Sequence, residues 1–121
     1  MAFTTPILSS ALAVPGAIEK MTFSAMQEPQ FAEKVQKPMI LVSGMETHIC
    51  VALTVQDLRR RGFETAVVAD ACLSRRKGDW ERGLEWARKE GAYILSTETV
   101  LFGMIQRAGT PLFKEISRRI R

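Results

Sequence analysis

The sequence predicts a single α/β domain in which helices cover both faces of a parallel sheet. Two features indicate this fold: from Pro38 onward, short apolar runs alternate with helical patterns, and each run is apolar at nearly every position. Strands of that kind are typical of parallel sheets, and the intervening helices make the crossovers between strands. A chain of 121 residues is long enough for one such domain.

The first strand is predicted at residues 39–43 (MILVS), because a compact apolar run there ends at Gly44. Residues 49–61 have the spacing of a helix, which Gly62 closes. The second strand is predicted at residues 64–70 (ETAVVAD).

The same pattern then repeats. A helix is predicted at residues 79–90, with Gly91 as its stop, and a third strand at residues 92–96. Thr97 is predicted to cap a helix that runs towards Gly109. Because the carboxyl ends of parallel strands meet at one edge of the sheet, we expect the chemistry at that edge.

The pattern is weaker before Pro38. A short helix is predicted at residues 28–37, whereas residues 18–26 have no clean period. Residues 1–17, rich in Ser, Thr, Pro and Ala, are predicted to be a loosely ordered lead-in, and residues 18–121 the folded domain.

The composition excludes several classes of function. A hydrophobic content of 46% and a charged content of 25% are typical of a globular domain. The net charge is +4, and the basic residues form three runs, at residues 59–61, 75–77 and 118–121. These basic runs fall at predicted helix ends and connections, and no aromatic platform accompanies them. We therefore predict no nucleic-acid partner. No window approaches the ~18 apolar residues of a membrane span, so no membrane association is predicted.

Two cysteines and one histidine are too few for a disulfide framework or an all-protein metal site. We predict no metal, no cofactor and a reducing, cytoplasmic setting. Cys50 falls in the first turn of a predicted helix, where free N–H groups and the helix dipole favour a thiolate. The pattern alone leaves open that Cys50 is a small buried hydrophobe. Cys72 is interpreted as structural.

Residues 44–71, GMETHICVALTVQDLRRRGFETAVVADA, closely resemble the nucleophile segment of the isochorismatase-like cysteine hydrolases. Residues 18–26 (IEKMTFSAM) are similar to the family's lysine segment, and residues 97–121 to the C-terminal end of its isochorismatase-domain proteins. The resemblance implies a three-layer α/β/α, Rossmann-like parallel sheet. The positions that match the nucleophile segment are Gly44, Thr47, Cys50, Val51, Gly62, Asp70 and Ala71.

The resemblance also implies roles for particular residues. Cys50 would be the nucleophile, and Lys20 the lysine that stabilises charge beside it. These residue types suit the chemistry, because a thiolate is a strong nucleophile and an ammonium screens a developing oxyanion. The family has a non-proline cis peptide, here Met45–Glu46, which would aim the N–H of Glu46, with that of Cys50, at the oxyanion.

Three further residues are candidates for the substrate pocket: Thr47, His48 and Phe23. Thr47 could equally be only the helix N-cap. His48, two residues before Cys50, could orient a substrate or tune the thiolate, yet a capping or surface role near the helix start is the favoured alternative.

The resemblance also implies a missing part. Residues 18–121 correspond to the C-terminal part of the family fold, without the N-terminal strand–helix–strand portion that carries the family's general-base aspartate. Asp57, Asp70 and Asp79 are not convincing substitutes, so we expect the base to be absent, replaced or supplied in trans. The missing strand would leave an apolar edge uncovered, which predicts a homo-oligomer.

These observations predict a hydrolase that cleaves an amide C–N bond, or a related group of a small molecule, through a covalent intermediate on Cys50. The alternative is a truncated or degenerate homologue without turnover, which acts as a binding or assembly module. A flavodoxin-like phosphate-binding module is less favoured, because no Gly-rich phosphate loop is present. The resemblance leaves the substrate open, because members of the family cleave several amide, carbamoyl and vinyl-ether compounds.

Overall fold

A computed structural model of the protein describes residues 17–120 and confirms the predicted α/β fold with a parallel sheet. The predicted lead-in at residues 1–17 therefore lies, apart from Ala17, outside the described residues. The three strands are β1 (Met39–Met45), β2 (Glu64–Leu73) and β3 (Tyr93–Leu95), and they lie in that order in the sheet. Both strand pairs are parallel.

Helices connect the strands and follow the last one. A π-helical turn, Thr47–Val51, lies between β1 and the next helix and contains Cys50; we call it the Cys50 turn. Among the helices of residues 17–120, none combines the length and the apolar composition that crossing a membrane requires. The α-helices are α1 (Pro29–Ala32), α2 (Ala52–Arg60), α3 (Lys77–Lys89), α4 (Thr97–Ile105) and α5 (Pro111–Arg119).

The core lies between one face of the sheet and helices α2 and α3. Val42, Val67 and Ile94 are neighbours across the three strands, and they pack against Val55 of α2 and Ala87 of α3. Both Val55 and Val67 are completely buried. Full burial of an aliphatic side chain stabilises a fold by about 1.5–3 kcal/mol, so this cluster fixes the two helices against the sheet.

Strand β1 is an edge strand of the described sheet. Its apolar side chains stay partly uncovered, with Leu41 48% and Met45 63% exposed. The uncovered apolar edge expected from the sequence is therefore present in this part of the chain. Association of two or more copies over that edge stays a prediction.

Strand β2 is longer than predicted. It was expected to end at Asp70 but continues to Leu73, because it bulges after Val67 and pairs with β1 again. Helix α3 likewise begins at Lys77, so Asp79 lies in its first turn and is not the predicted N-cap. These two changes bring the connection between β2 and α3 against the Cys50 turn.

The predictions are less accurate near the ends of the described chain. The helix expected at residues 28–37 is a single turn, Pro29–Ala32, none of which is buried. Ser96, and not Thr97, is the N-cap of α4. Helix α5 was not predicted, although Thr110 followed by a proline is a strong helix start.

Candidate active site

Cys50 lies on the Cys50 turn, just beyond the carboxyl end of β1. The N–H of Val51 bonds to the C=O of Glu46 at 3.2 Å, five residues back, which is the wider spacing of a π-helix. Thr47 and Val51 are buried on either side, whereas Cys50 is only partly buried. The turn is thus anchored at both ends and presents the thiol at its surface.

The ammonium of Lys20 is directed at this thiol. Its Nζ lies 3.5 Å from Sγ of Cys50 and also donates to the C=O of Thr22 at 2.9 Å and of Phe23 at 3.1 Å. An ammonium has three N–H groups, so these three partners account for all of them. The backbone that directly follows Lys20 therefore orients the ammonium towards the sulfur.

Glu28 holds the lysine segment in place. Its Oε1 accepts the N–H of Met21 at 3.1 Å and both the N–H and the hydroxyl of Thr22, at 3.3 and 3.0 Å. The N–H of Met21 is the largest cause that holds the pKa of Glu28 below its ordinary value. The N–H of Ala25 also bonds to Thr54 of α2 at 2.9 Å. Sequence reasoning missed Glu28, because no motif connects it with Lys20.

The peptide bond between Met45 and Glu46 is cis. The carboxylate of Glu46 points away from Cys50 towards the β2–α3 connection, where its Oε1 accepts from the backbone N–H and from Nε of Arg75, both at 3.1 Å. The backbone N–H of Arg75 is the main cause that lowers the pKa of Glu46.

Ser74 and helix α3 hold the other side of the Cys50 turn. Oγ of Ser74 accepts the N–H of Thr47 at 3.0 Å and lies 3.0 Å from Nδ1 of His48. Nε2 of His48 faces Oδ2 of Asp79 at 3.8 Å. A Cβ on Gly83 of α3 would lie 2.7 Å from the carbonyl of Thr47, so only glycine permits this approach. Neither Ser74 nor Gly83 was identified from the sequence.

A cavity of about 320 Å³ lies beside Cys50 and Lys20, between β1 and α2. We call it the Cys50 cavity. Its walls are largely apolar and include Phe31, Leu41 and Met45. Its size is at the lower end of the range for small-molecule sites. Among the described residues, Lys20 is the charged side chain that lines it.

The three predicted pocket residues do not line the Cys50 cavity. Thr47 is fully buried and, within residues 17–120, its Oγ1 has no hydrogen-bond partner. The ring of His48 is turned towards Ser74 and Asp79. Phe23 is 64% exposed and lines a separate depression.

None of the aspartates lines the Cys50 cavity either. Asp57 accepts a hydrogen bond from Gln27, and Asp70 accepts the N–H of Thr97 at 2.8 Å. Within residues 17–120 there is no group of three or more His, Cys, Asp or Glu side chains that could hold a metal ion.

The second cysteine has a different environment. Cys72 is buried in the core cluster, and this burial raises the pKa of its thiol. A buried thiol with a raised pKa has little thiolate at neutral pH, which agrees with the structural role interpreted from the sequence.

The chain is similar to a known protein family and to several known proteins. Residues 15–99 match the family model described as Isochorismatase domain. The secreted isochorismatase effector Isc1 of Phytophthora sojae is 38% identical over 108 residues, which cover 85% of this chain and 51% of that protein. The chain spans about half the length of the curated relatives it matches.

Two solved structures are similar as well. The structure of the MAR1 ribonuclease from Caenorhabditis elegans covers 98% of this chain, and the match spans 62% of that protein, with 29% identity and a TM-score of 0.84. The nicotinamidase PncA from Bacillus subtilis is 26% identical, with a TM-score of 0.55, and the match spans 64% of this chain and 44% of that one.

Proposed function

The chain belongs to the isochorismatase family, and from this premise we propose that it is a cysteine hydrolase in which Cys50 is the nucleophile. The observation that carries the proposal is the 3.5 Å contact between the ammonium of Lys20 and the thiol of Cys50. An ammonium at that distance can stabilise the negative charge that develops when the sulfur attacks a carbonyl carbon. The family assignment also favours an enzyme over a binding module without turnover.

The proposed reaction begins with attack of the Cys50 thiolate on a carbonyl carbon. The new C–S bond moves the carbonyl electrons onto oxygen, where the ammonium of Lys20 and the N–H groups of Glu46 and Cys50 would stabilise the negative charge. Collapse of this intermediate breaks the C–N bond, and the amine leaves with a proton. Water then attacks the thioester, which releases the acid and restores the thiol.

The two proton transfers need an acid–base group. No carboxylate of the described residues lines the Cys50 cavity, so we propose that a group which these residues do not supply, or water, takes this role. Loss of a positioned base typically costs ~10²–10⁴-fold in rate.

A small amide is the proposed substrate class. The Cys50 cavity has room for a small molecule and is largely apolar, with a single ammonium. The structural similarity to a nicotinamidase supports an amide C–N bond as the target.

RNA is tested beside the amides, because another protein of similar structure is described as a ribonuclease. Most arginines of the three basic runs pair with glutamates. On the described surface, these runs therefore do not form an open phosphate-binding patch. The pairs are Arg59–Glu64, Arg60–Glu90, Arg75–Glu46, Arg118–Glu115 and Arg119–Glu115.

The test combines turnover with detection of the covalent intermediate. The chain is incubated with nicotinamide, with an N-carbamoyl amino acid and with RNA, and ammonia release and RNA cleavage are measured. After an acid quench, peptide mass spectrometry should find an acyl group on Cys50, and Cys50→Ala should abolish both the adduct and ammonia release. Cys72→Ala is the matched control and should keep both.

Turnover that survives in Cys50→Ala would overturn the proposal, as would RNA cleavage without amide turnover. An alkylation-resistant Cys50 with no turnover would favour the alternative, a family fold without chemistry.

A further inference from the structure

We infer that Ser74 positions the Cys50 turn, acting through the backbone of Thr47 and the ring of His48. The inference rests on the proposed function for the role of Cys50 and extends it to a residue of the β2–α3 connection. Ser74 does not line the Cys50 cavity, so its effect on Cys50 must pass through the turn.

The first evidence is a buried backbone hydrogen bond. The N–H of Thr47 donates to Oγ of Ser74 at 3.0 Å, and both residues are buried. Buried backbone N–H groups almost always have an acceptor, because an unpaired one loses its hydrogen bond to water and gains nothing. Without the Ser74 hydroxyl, this N–H would have to move or remain unpaired.

The second evidence comes from the hydrogens of Ser74 and His48. Because Oγ already accepts from Thr47, its own hydrogen can donate to Nδ1 of His48, 3.0 Å away. The ring then carries its proton on Nε2, which faces the carboxylate of Asp79 at 3.8 Å. In the other neutral tautomer, the Nε2 lone pair would face that carboxylate. The hydrogen of Ser74 would also lack an acceptor among the described residues.

The third evidence is the packing of helix α3 on the turn. Asp79 and Gly83 both lie on α3, and the backbone of Thr47 and His48 approaches the Cα of Gly83 so closely that a Cβ would lie 2.7–2.8 Å from it. Ser74 therefore joins three elements at one point: the end of β2, the Cys50 turn and, through His48, helix α3. Cys50 follows His48 by two residues. A displacement of Thr47 and His48 relative to Ser74 therefore moves the Cys50 thiol relative to Lys20.

The first test measures the reactivity of Cys50. The rate of alkylation by iodoacetamide is followed by peptide mass spectrometry, with Cys72 as the internal control. Ser74→Ala should lower the rate at Cys50 by up to roughly fivefold, because it acts through the contact between Cys50 and Lys20 and an exposed charge pair contributes at most about 1 kcal/mol. Ser74→Thr keeps the hydroxyl and should restore most of the rate. Ser96→Ala is the matched control, because it also removes a serine acceptor of a backbone N–H, at the distant start of α4.

The second test uses the fact that His48 is the only histidine of the chain. In a ¹⁵N-labelled sample, its two ring nitrogens give the only imidazole signals and need no assignment. The wild type should show a protonated Nε2 and an unprotonated Nδ1. In Ser74→Ala, the signals of Nδ1 and Nε2 should be averaged over the two tautomers of His48. A role of Ser74 in stability alone would not produce this averaging.

The outcomes separate this inference from the proposed function. A folded Ser74→Ala variant with the wild-type rate would overturn the inference, and so would a neutral ring with its proton on Nδ1. If Ser74→Ala does not fold, His48→Asn is compared with His48→Ala. Asparagine can place an acceptor near the position of Nδ1, so equal rates in these two variants would overturn the inference. If Cys50 of the wild type is alkylated as slowly as Cys72, the result counts against the proposed function. The signals of the His48 ring nitrogens still test the Ser74–His48 hydrogen bond in that case.

Discussion

The ammonium of Lys20 contacts the thiol of Cys50 at 3.5 Å, although the two residues are 30 positions apart in the chain. The carbonyls of Thr22 and Phe23 hold its other two hydrogens, so the direction of the ammonium is set locally. No carboxylate of the described residues lines the Cys50 cavity, so Lys20 is the charged side chain that faces the thiol there.

Lys20→Met should therefore slow the alkylation of Cys50 at neutral pH. Lys20 is exposed, and exposed charge pairs contribute up to about 1 kcal/mol, which corresponds to roughly a fivefold change in rate. The measurement is the alkylation rate at Cys50 by peptide mass spectrometry. Lys34→Met removes an exposed lysine that does not line the cavity and serves as the control. Equal rates in the two variants would show that the contact does not activate the thiol.

Gly83→Ala should destabilise the fold, although alanine is the better helix former. The added Cβ would lie 2.7 Å from the carbonyl of Thr47 and would push α3 away from the Cys50 turn. Overpacking costs ~1–3 kcal/mol, against a gain of about 1 kcal/mol in helix propensity, so a net loss of up to roughly 2 kcal/mol is expected in urea unfolding.

Gly103→Ala in helix α4 is the matched control for this substitution. A Cβ there meets nothing within 4 Å, so this variant should gain up to about 1 kcal/mol in the free energy of unfolding. A change of the same sign in both variants would argue against the close approach of α3 to the turn.

The contacts of Glu28 predict a loss of stability in acid. Its folded-state pKa lies below the ordinary value of 4.5, first because the N–H of Met21 donates to it. A lowered pKa gives stability that is fully present above the unfolded-state value and is lost as the pH falls through the folded-state value. Glu28→Gln should therefore be less stable than the wild type at neutral pH, and the difference should shrink below pH ~4.5.

Unfolding midpoints measured from neutral to acidic pH test this prediction. Glu33→Gln, on the same segment, controls for the loss of one negative charge. A difference between Glu28→Gln and the wild type that stays constant over the whole range would contradict it.

Leu58→Ala should cost about 2–5 kcal/mol of the free energy of unfolding, as is typical of a leucine without exposed surface. Leu58 is completely buried, whereas Leu112 on helix α5 is 55% exposed. Leu112→Ala should change stability by no more than about 0.5 kcal/mol. Chemical denaturation of both variants would compare the two positions, and similar losses would contradict the described core.

Much of the fold could be predicted because the chain repeats apolar runs and helical patterns. The order of strands and helices from β1 to α4 follows from that repetition, and Gly62 and Gly91 have the positive φ expected after a helix end. The family was likewise predicted from residues 44–71, and the match over residues 15–99 confirms it. Cys50 and Lys20 were both identified from these segments, and their catalytic roles stay a proposal.

Boundaries were harder to predict where tertiary contacts decide them. Strand β2 continues past Asp70 because β1 offers a second stretch of pairing after the bulge, and periodicity within one strand does not reveal its neighbour. The single turn of α1 has the opposite cause: a helical pattern without a surface to pack against stays short.

By itself, the sequence determined the α/β class, the family and the two residues of the proposed catalytic pair. Only the tertiary structure decided what surrounds them: Glu28 holds the lysine segment, Ser74 holds the Cys50 turn, and Thr47 and His48 do not line the cavity. The physical reason is that periodicity and turn residues report local backbone preference and burial. A hydrogen bond between two distant loops depends on where the packed helices bring them together.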